Sequence, residues 1–317
     1  MAASINEVRN TVLAIANKNN YGYISPQDFN LYAKQAQMDM FEDYFYSYNN
    51  WINRENGRTS GTGYANITKG LVEVIDGFST QVFLAQNISN TFSLPNDFYL
   101  INKLFYYSTP LFTGTATTVL ANSLVDFNAV GWNTIPASSP TPKIGSLIVN
   151  TTTLKQAYVT GVVSTTQITL SDNIFNVIGE SYIIYSNTNI REVERVSQNK
   201  IFLLTNSMLT APTKTYPAYV LGGNIVTIYP STILNAGDIQ AQYVRYPLSP
   251  RWTYLNLGLG EPQFDPTQSD FQEFELPDSD EPTLIAKICQ YVGIEIREAD
   301  VYNFGATEEG NDTQETS

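Results

Sequence analysis

Between Ile225 and Arg245 the side chains alternate in polarity with a period of two, and this pattern restricts the chain more than any other. The stretch reads "GNIVTIYPSTILNAGDIQAQYVRYPLSPRWTY", Gly223 to Tyr254. Ile225, Thr227 and Tyr229 alternate with Val226 and Ile228, and the pattern resumes through Ile239, Ala241, Tyr243 and Arg245. Successive side chains on a strand point to opposite faces, so each run predicts a β-strand, separated by a turn around Asn235-Ala236-Gly237. Pro247 and Pro250 close the second run ahead of Trp252 and Tyr254. None of these residues is a reagent.

Elsewhere the pattern changes period. Ser4 and Glu7 form a capping box ahead of Ile5, Val8, Val12 and Ile15, and Asn19-Asn20-Tyr21-Gly22 breaks that helix. Ser25, Pro26 and Asp28 then start a second helix. Its stripe of Phe29, Tyr32, Ala33, Ala36, Met40 and Tyr44 predicts helix to about Tyr48. Asn53 to Gly63 is polar and Gly-rich and reads as a loop; it lacks the G-K-[ST] of a phosphate loop. "VEVIDGF" and the run from Asn90 to Ser108 read as strands, and "REVERVSQNKIFLL" resumes that style. From 110 to 186 the texture differs: four Thr-, Ser- and Val-rich runs, punctuated by Gly145, Gly161 and Gly179, have the cadence of a small barrel or sandwich. Near the C-terminus Pro282 starts a helix whose apolar face holds Leu284, Ile285, Ile288, Cys289 and Val292, and Gly293 is read as its end.

The fold class expected is therefore α+β, with N- and C-terminal helices packed with an antiparallel β core that an inserted β-barrel or sandwich module interrupts. The boundaries are 1–54 for the helical pair, 65–109 and 187–254 for a discontinuous β core, and 110–186 for the inserted module. Residues 255–317 supply a loop, a helix and an acidic tail.

Composition narrows the chemistry. The 317 residues include no histidine, which removes the commonest general base, Ser-His and Cys-His nucleophile pairs and the commonest zinc ligand. The single cysteine, Cys289, cannot form an internal disulfide, and its place on an apolar helix face predicts a buried structural thiol. No apolar run is long enough to span a bilayer, and "MAASINEVRN" lacks the features of a signal peptide. The net charge of −13 is wholly concentrated in residues 261–317, where fifteen acids face only Lys287 and Arg297. Such an end repels nucleic acid and suits either a solvated tail or docking on a basic surface. The segment 306–317, "ATEEGNDTQETS", is expected to be disordered in isolation.

The remaining catalytic constellation is a set of carboxylates. Asp265, Asp270, Glu273 and Glu275 would suit a glycosidase acid–base pair, against a plain reading as a solvated acidic loop. Asp265 and Asp270 are an alternative set of oxygen ligands for calcium, although the EF-hand order is absent. Asn66, Asn87, Asn150 and Asn311 sit in glycosylation sequons. Trp51, Trp132 and Trp252 are either contact anchors or core residues. Neither cofactor nor metal is expected.

Three stretches together carry a resemblance. "SINEVRNTVLAIANKNNYGYISPQDFNLYAKQAQMDMFEDYF" resembles the N-terminal helical pair of virion proteins from crAss-like and related short-tailed phages. "LGGNIVTIYPSTI" with "IQAQYVRYPLSPRWTY" is similar to the closing strands of portal adaptor, or tail tubular, proteins. "DEPTLIAKICQYVGIEIREADVYNFGATEEG" looks like their final helix and acidic tail. The resemblance implies a structural, non-enzymatic head-to-tail connector protein of the virion, forming a ring of about twelve copies with a channel for DNA. It implies contacts with itself, with portal and with other ring or tail proteins, and passage of DNA without specific binding. By the same resemblance, together with the acidic charge, the portal-contacting strap would comprise Ile294, Ile296, Arg297, Val301, Tyr302, Phe304, Glu308 and Glu309; the module 110–186, which the simplest adaptors lack, is expected to project outward from the ring. The rival expectation is a receptor- or glycan-binding tail or head-fibre protein that binds through the Thr-rich module.

Overall fold

The computed structural model describes residues 3–16, 24–57, 67–129, 132, 141–186, 190–256, 262–296, 303 and 306–307. The class is α+β. Five helices lie among these residues: α1 (Ile5–Ala16), α2 (Pro26–Gly57), α3 (Ile67–Asp76), α4 (Gln198–Thr205) and α5 (Glu281–Ile296). The chain divides into two compact units, one of residues 1–78 with 246–317 and the other of residues 79–245.

In the first unit α1 and α2 both pack on α5, and α3 packs on α2. Ser4 caps α1 weakly, its hydroxyl 3.5 Å from the Glu7 amide, while the Glu273 carboxylate accepts from the Ile5 amide at 2.6 Å. A carboxylate at that end satisfies an orphan donor and complements the helix dipole. Ile5, Val8, Val12 and Ala16 are the buried face. Ser25 caps α2 by accepting from the Asp28 amide at 3.1 Å, and Phe29, Ala33, Ala36, Met40 and Phe41 are buried along it.

Helices exceed expectation in three places. α2 continues to Gly57, past the expected end at Tyr48 and into the expected loop, because the two asparagines at 49 and 50 lower propensity without breaking a helix. Residues 58–63 of that loop lie outside the described residues. "VEVIDGF", expected as a strand, lies in and just beyond α3. Leu71, Val74 and Ile75 recur at helical spacing, and that half-buried face outweighs the β-branched bias of the sequence. α5 runs through the buried Gly293, since one interior glycine costs a helix only about 1 kcal/mol.

The second unit is built of two sheets. Strands β1 (Ser79–Phe83), β2 (Ala85–Gln86), β3 (Thr91–Ser93) and β4 (Phe98–Tyr107) come first. The next seven are β5 (Pro110–Thr115), β6 (Thr118–Leu120), β7 (Ser123–Val125), β8 (Leu147–Asn150), β9 (Gln156–Val162), β10 (Gln167–Leu170) and β11 (Ser181–Tyr185). Four more follow: β12 (Ile190–Arg195), β13 (Ala218–Gly222), β14 (Ile225–Tyr229) and β15 (Ile239–Arg245). The eight-stranded sheet has the order β1-β15-β4-β12-β13-β14-β3-β2, antiparallel except for the parallel pair β12–β13. The seven-stranded sheet, order β5-β11-β8-β9-β10-β7-β6, uses only residues 110–185 and is antiparallel throughout.

Both sheets solve the edge problem in the same way. The edge strands β1 and β2 of the larger sheet are the two halves of one bent segment, joined only by the buried Leu84. In the smaller sheet β5 and β6 are likewise joined across Ala116-Thr117, with Ala116 buried. One strand thus supplies both rims, and the sheet curls toward closure rather than presenting two long unpaired edges.

The two alternating runs that open the sequence reading are β14 and β15, yet they do not pair with each other. β14 lies between β13 and β3, whereas β15 lies between β4 and β1. Val226 and Ile228 from one, and Ile239, Ala241 and Tyr243 from the other, enter a common core with Phe92, Leu104 and Tyr219. Gly237, at φ +87, turns the chain between them in a conformation that suits glycine. The strand reading also extended through "REVERVSQNKIFLL", but only Ile190–Arg195 is a strand; α4 follows at Gln198.

Candidate interaction surface

The Pro-punctuated stretch after Tyr246 carried the sequence-derived acid–base candidates, and the structure gives it a scaffolding task. Two short strands, β16 (Tyr254–Leu255) and β17 (Gln263–Phe264), pair within it. Amide side chains from α2 bind it down. Asn30 donates to the Trp252 carbonyl at 3.1 Å and accepts from its amide at 2.8 Å. The buried Gln37 donates to the Leu248 carbonyl at 2.7 Å and accepts from the Glu275 amide at 3.0 Å. An Asn or Gln amide pairs with backbone as another strand would, so an irregular chain can lie against a helix with its polar groups satisfied. Trp252 is buried, stacks on Tyr254 and Phe264, donates to Asn6 at 3.1 Å, and carries the Arg9 guanidinium 3.9 Å above its ring.

The four carboxylates serve this scaffold one at a time. Glu273 holds the start of α1, and Glu275 accepts from the Leu248 amide at 2.7 Å. Asp270 pairs with Arg251 at 2.9 Å on the surface. Asp265 accepts from the amide and hydroxyl of Thr267 at 3.0 and 2.6 Å. Those hydrogen bonds hold its carboxyl below the usual range, the opposite of what a general acid needs. Among the described residues no group of three or more His, Cys, Asp or Glu is placed to hold a metal ion. No helix among them is long and apolar enough to cross a membrane.

Of the strap residues, Ile294 and Ile296 fall in the last turn of α5, where their side chains lie outside the described residues. Arg297, Val301, Tyr302, Phe304, Glu308 and Glu309 lie outside the described residues altogether, as do 308–317 of the expected disordered tail. Cys289 is buried in α5, and burial pushes its thiol up to about 11, as a structural thiol requires. Trp132 is buried in the smaller sheet's core; the side chain of Trp51 lies outside the described residues. The sequon at Asn150 is spent internally. Its side chain is fully buried, donates to the Ile174 carbonyl at 2.9 Å and accepts from the amides of Thr152 and Thr153. Asn66 and Asn311 lie outside the described residues.

What distinguishes the surface is apolar. Leu31 and Tyr46 on α2, Ile144, Val177 and Ile178 in the smaller sheet's loops, and Phe202, Leu203, Met208, Leu209 and Tyr216 around and after α4 are each more than half exposed. Sequence reasoning singled out none of these, because exposure is a property of the whole fold. A shallow, open depression of about 360 Å³ is lined by Asn102, Lys103, Glu192, Glu194, Arg195 and Tyr219 among others. Lys103 and Glu192 pair across it at 3.2 Å. The chain divides into a largely helical unit and a unit of two sheets, and the described residues of both expose apolar contact area. No known family model and no curated protein sequence matches it.

Proposed function

We propose that this chain is a structural subunit of a virion, one wedge in the adaptor ring between the portal and the tail of a short-tailed phage. The reading begins from the resemblance of its end segments and central strands to that family. The observation that carries it is the set of large apolar side chains left open to solvent on both units. A soluble monomer seldom leaves so many in place, whereas a subunit flanked by copies of itself covers them. Tyr and Phe, 21 and 16 in this chain, supply such contact area at small entropic cost. The first 260 residues balance to zero charge, so the lumen of such a ring would let DNA slide without gripping its phosphates. In this reading Ile294 to Ser317 reaches the portal, and the acidic end orders on docking.

Class averages of the purified full chain in negative stain test the reading. Closed rings of about twelve copies are expected. Monomers or three-bladed particles at all concentrations would overturn it. The second outcome would favour a fibre-type binding protein, for which Val177 and Ile178, exposed at one loop of the smaller sheet, offer a contact point.

A further inference from the structure

The three most exposed apolar side chains among the described residues, Met208, Leu209 and Tyr216, fall in one short stretch with two more just before them. Phe202 and Leu203 lie on α4, Met208 and Leu209 on the turn that follows it, and Tyr216 at the next bend. Leu209 is 94% exposed and Met208 fully so. The backbone that presents them is ordered by its own bonds. Ala211 donates to Ser207 at 2.9 Å, the Thr210 hydroxyl reaches back to the Leu204 carbonyl at 3.4 Å, and Thr213 and Tyr216 exchange amide–carbonyl bonds at 3.1 and 3.2 Å. An ordered helix end and turn therefore hold five large apolar side chains in water. The electrostatics are one-sided. No Asp or Glu occurs between Glu194 and Asp238, while Lys200 and Lys214 flank the apolar group and are exposed.

A matching surface exists on the other unit. Leu31, Gln35, Glu42, Tyr46 and Asn49 of α2 are all exposed, and their spacing places them along one stripe of the helix. At a rise of about 1.5 Å per residue the stripe is roughly 27 Å long. It carries apolar Leu31 and Tyr46 with Glu42 between them; Asp43, a step further round the helix, pairs with Lys287 of α5 at 3.1 Å. Apolar-with-lysine on one face and apolar-with-carboxylate on the other are complementary in both polarity and sign.

Resting on the ring reading, we propose that the α4 arm of one copy docks on the exposed α2 stripe of the next copy. Phe202, Leu203, Met208 and Leu209 would cover Leu31 and Tyr46, with Lys200 and Lys214 facing Glu42. The two faces are unlike, so the contact is head-to-tail. It propagates around a ring instead of ending at a dimer.

Charge reversal on the full chain tests this, read by native mass spectrometry and sedimentation across concentration. The double variant K200E/K214E is expected to weaken self-association by about tenfold or more, and E42K alone to weaken it by less. Combining all three restores opposite signs and is expected to recover association to within about threefold of wild type. M208D/L209D is expected to abolish assembly while leaving thermal melting of the monomer unchanged, since neither side chain enters a core. If wild type assembles and all these variants assemble equally, the arm assignment falls and the ring reading stands. If single reversals weaken assembly but the combination gives no recovery, the α2 stripe is the wrong partner and the proposal is overturned. A wild type monomeric at every concentration would end both.

Discussion

Gly114 shows how tightly single residues are specified in the smaller sheet. A Cβ there would stand 2.6 Å from the Asp126 carboxylate and 2.7 Å from the Tyr182 hydroxyl. Those two atoms are buried and hydrogen-bonded to each other at 2.8 Å, so neither can retreat. Gly114→Ala is expected to cost about 1–3 kcal/mol, read as a lowered melting temperature. Asp238 is a second such point. Its carboxylate accepts from the Tyr185 hydroxyl at 2.8 Å and from Asn235 at 3.1 Å, and burial raises its pKa above the ordinary carboxyl range despite both bonds. The folded state therefore holds this proton more firmly than the unfolded chain does. The resulting stabilisation is full below the unfolded value of about 3.9 and is lost as pH rises through the elevated native value. Asp238→Asn cannot titrate, so its stability is expected to rise less, or fall more, than wild type's on acidification through that window. Urea unfolding at a series of pH values checks this; parallel curves would refute the assignment.

At the scale of elements, hydrogen-bonding side chains do what secondary structure cannot. Gln37 links α2 to Leu248 and Glu275, two points of a segment with little regular structure. Gln37→Ala would leave a partly buried carbonyl and a partly buried amide without this partner, at a cost of about 1–3 kcal/mol, seen as a lower urea midpoint. The helices are joined by similar means. Tyr44 hydrogen-bonds to Asp280 and Tyr291 to Asp39, tying α2 to the start and body of α5. Burial and the neighbouring carboxylate push the Tyr291 hydroxyl up to about 12, so it remains a donor throughout the ordinary pH range. Within the larger sheet Tyr107 donates to Gln240 at 2.8 Å, and Gln240 donates across to Gln156 of the smaller sheet at 2.7 Å. This relay explains why β15 has buried residues on both faces although its sequence alternates. The module of residues 110–185 sits against the face that a lone sheet would expose to water.

For the whole molecule, charge and apolar surface are distributed unevenly, and the proposed assembly depends on both. The acidic excess is confined to residues 261–317, and the acid-free reach 195–237 carries the three most exposed apolar side chains among the described residues, Met208, Leu209 and Tyr216. Removal of residues 306–317 is expected to leave thermal melting unchanged and to abolish co-assembly with portal protein. Undiminished capture by portal would remove the strap from the proposal, with the ring itself judged separately by its copy number.

Local regularities were legible without coordinates. The S-x-x-E cap, the stripe of Phe29, Ala33, Ala36 and Met40, the alternation in Val226 and Ile228, and Cys289 on an apolar helix face all encode their own burial, because each depends on neighbours a few residues away. α3 was misread, since β-branched residues at helical spacing satisfy both periods and only packing on α2 decides between them. Sequence alone thus determined the α+β class, the strands at 225–229 and 239–245, and where charge accumulates. The tertiary structure decided which strands pair, that each sheet closes through one bent strand at Leu84 or Ala116, and that Asp265, Asp270, Glu273 and Glu275 are tied into scaffold. It also decided which apolar residues stay in water. These properties follow from contacts between residues far apart along the chain, and spacing in a sequence carries no record of distance in space.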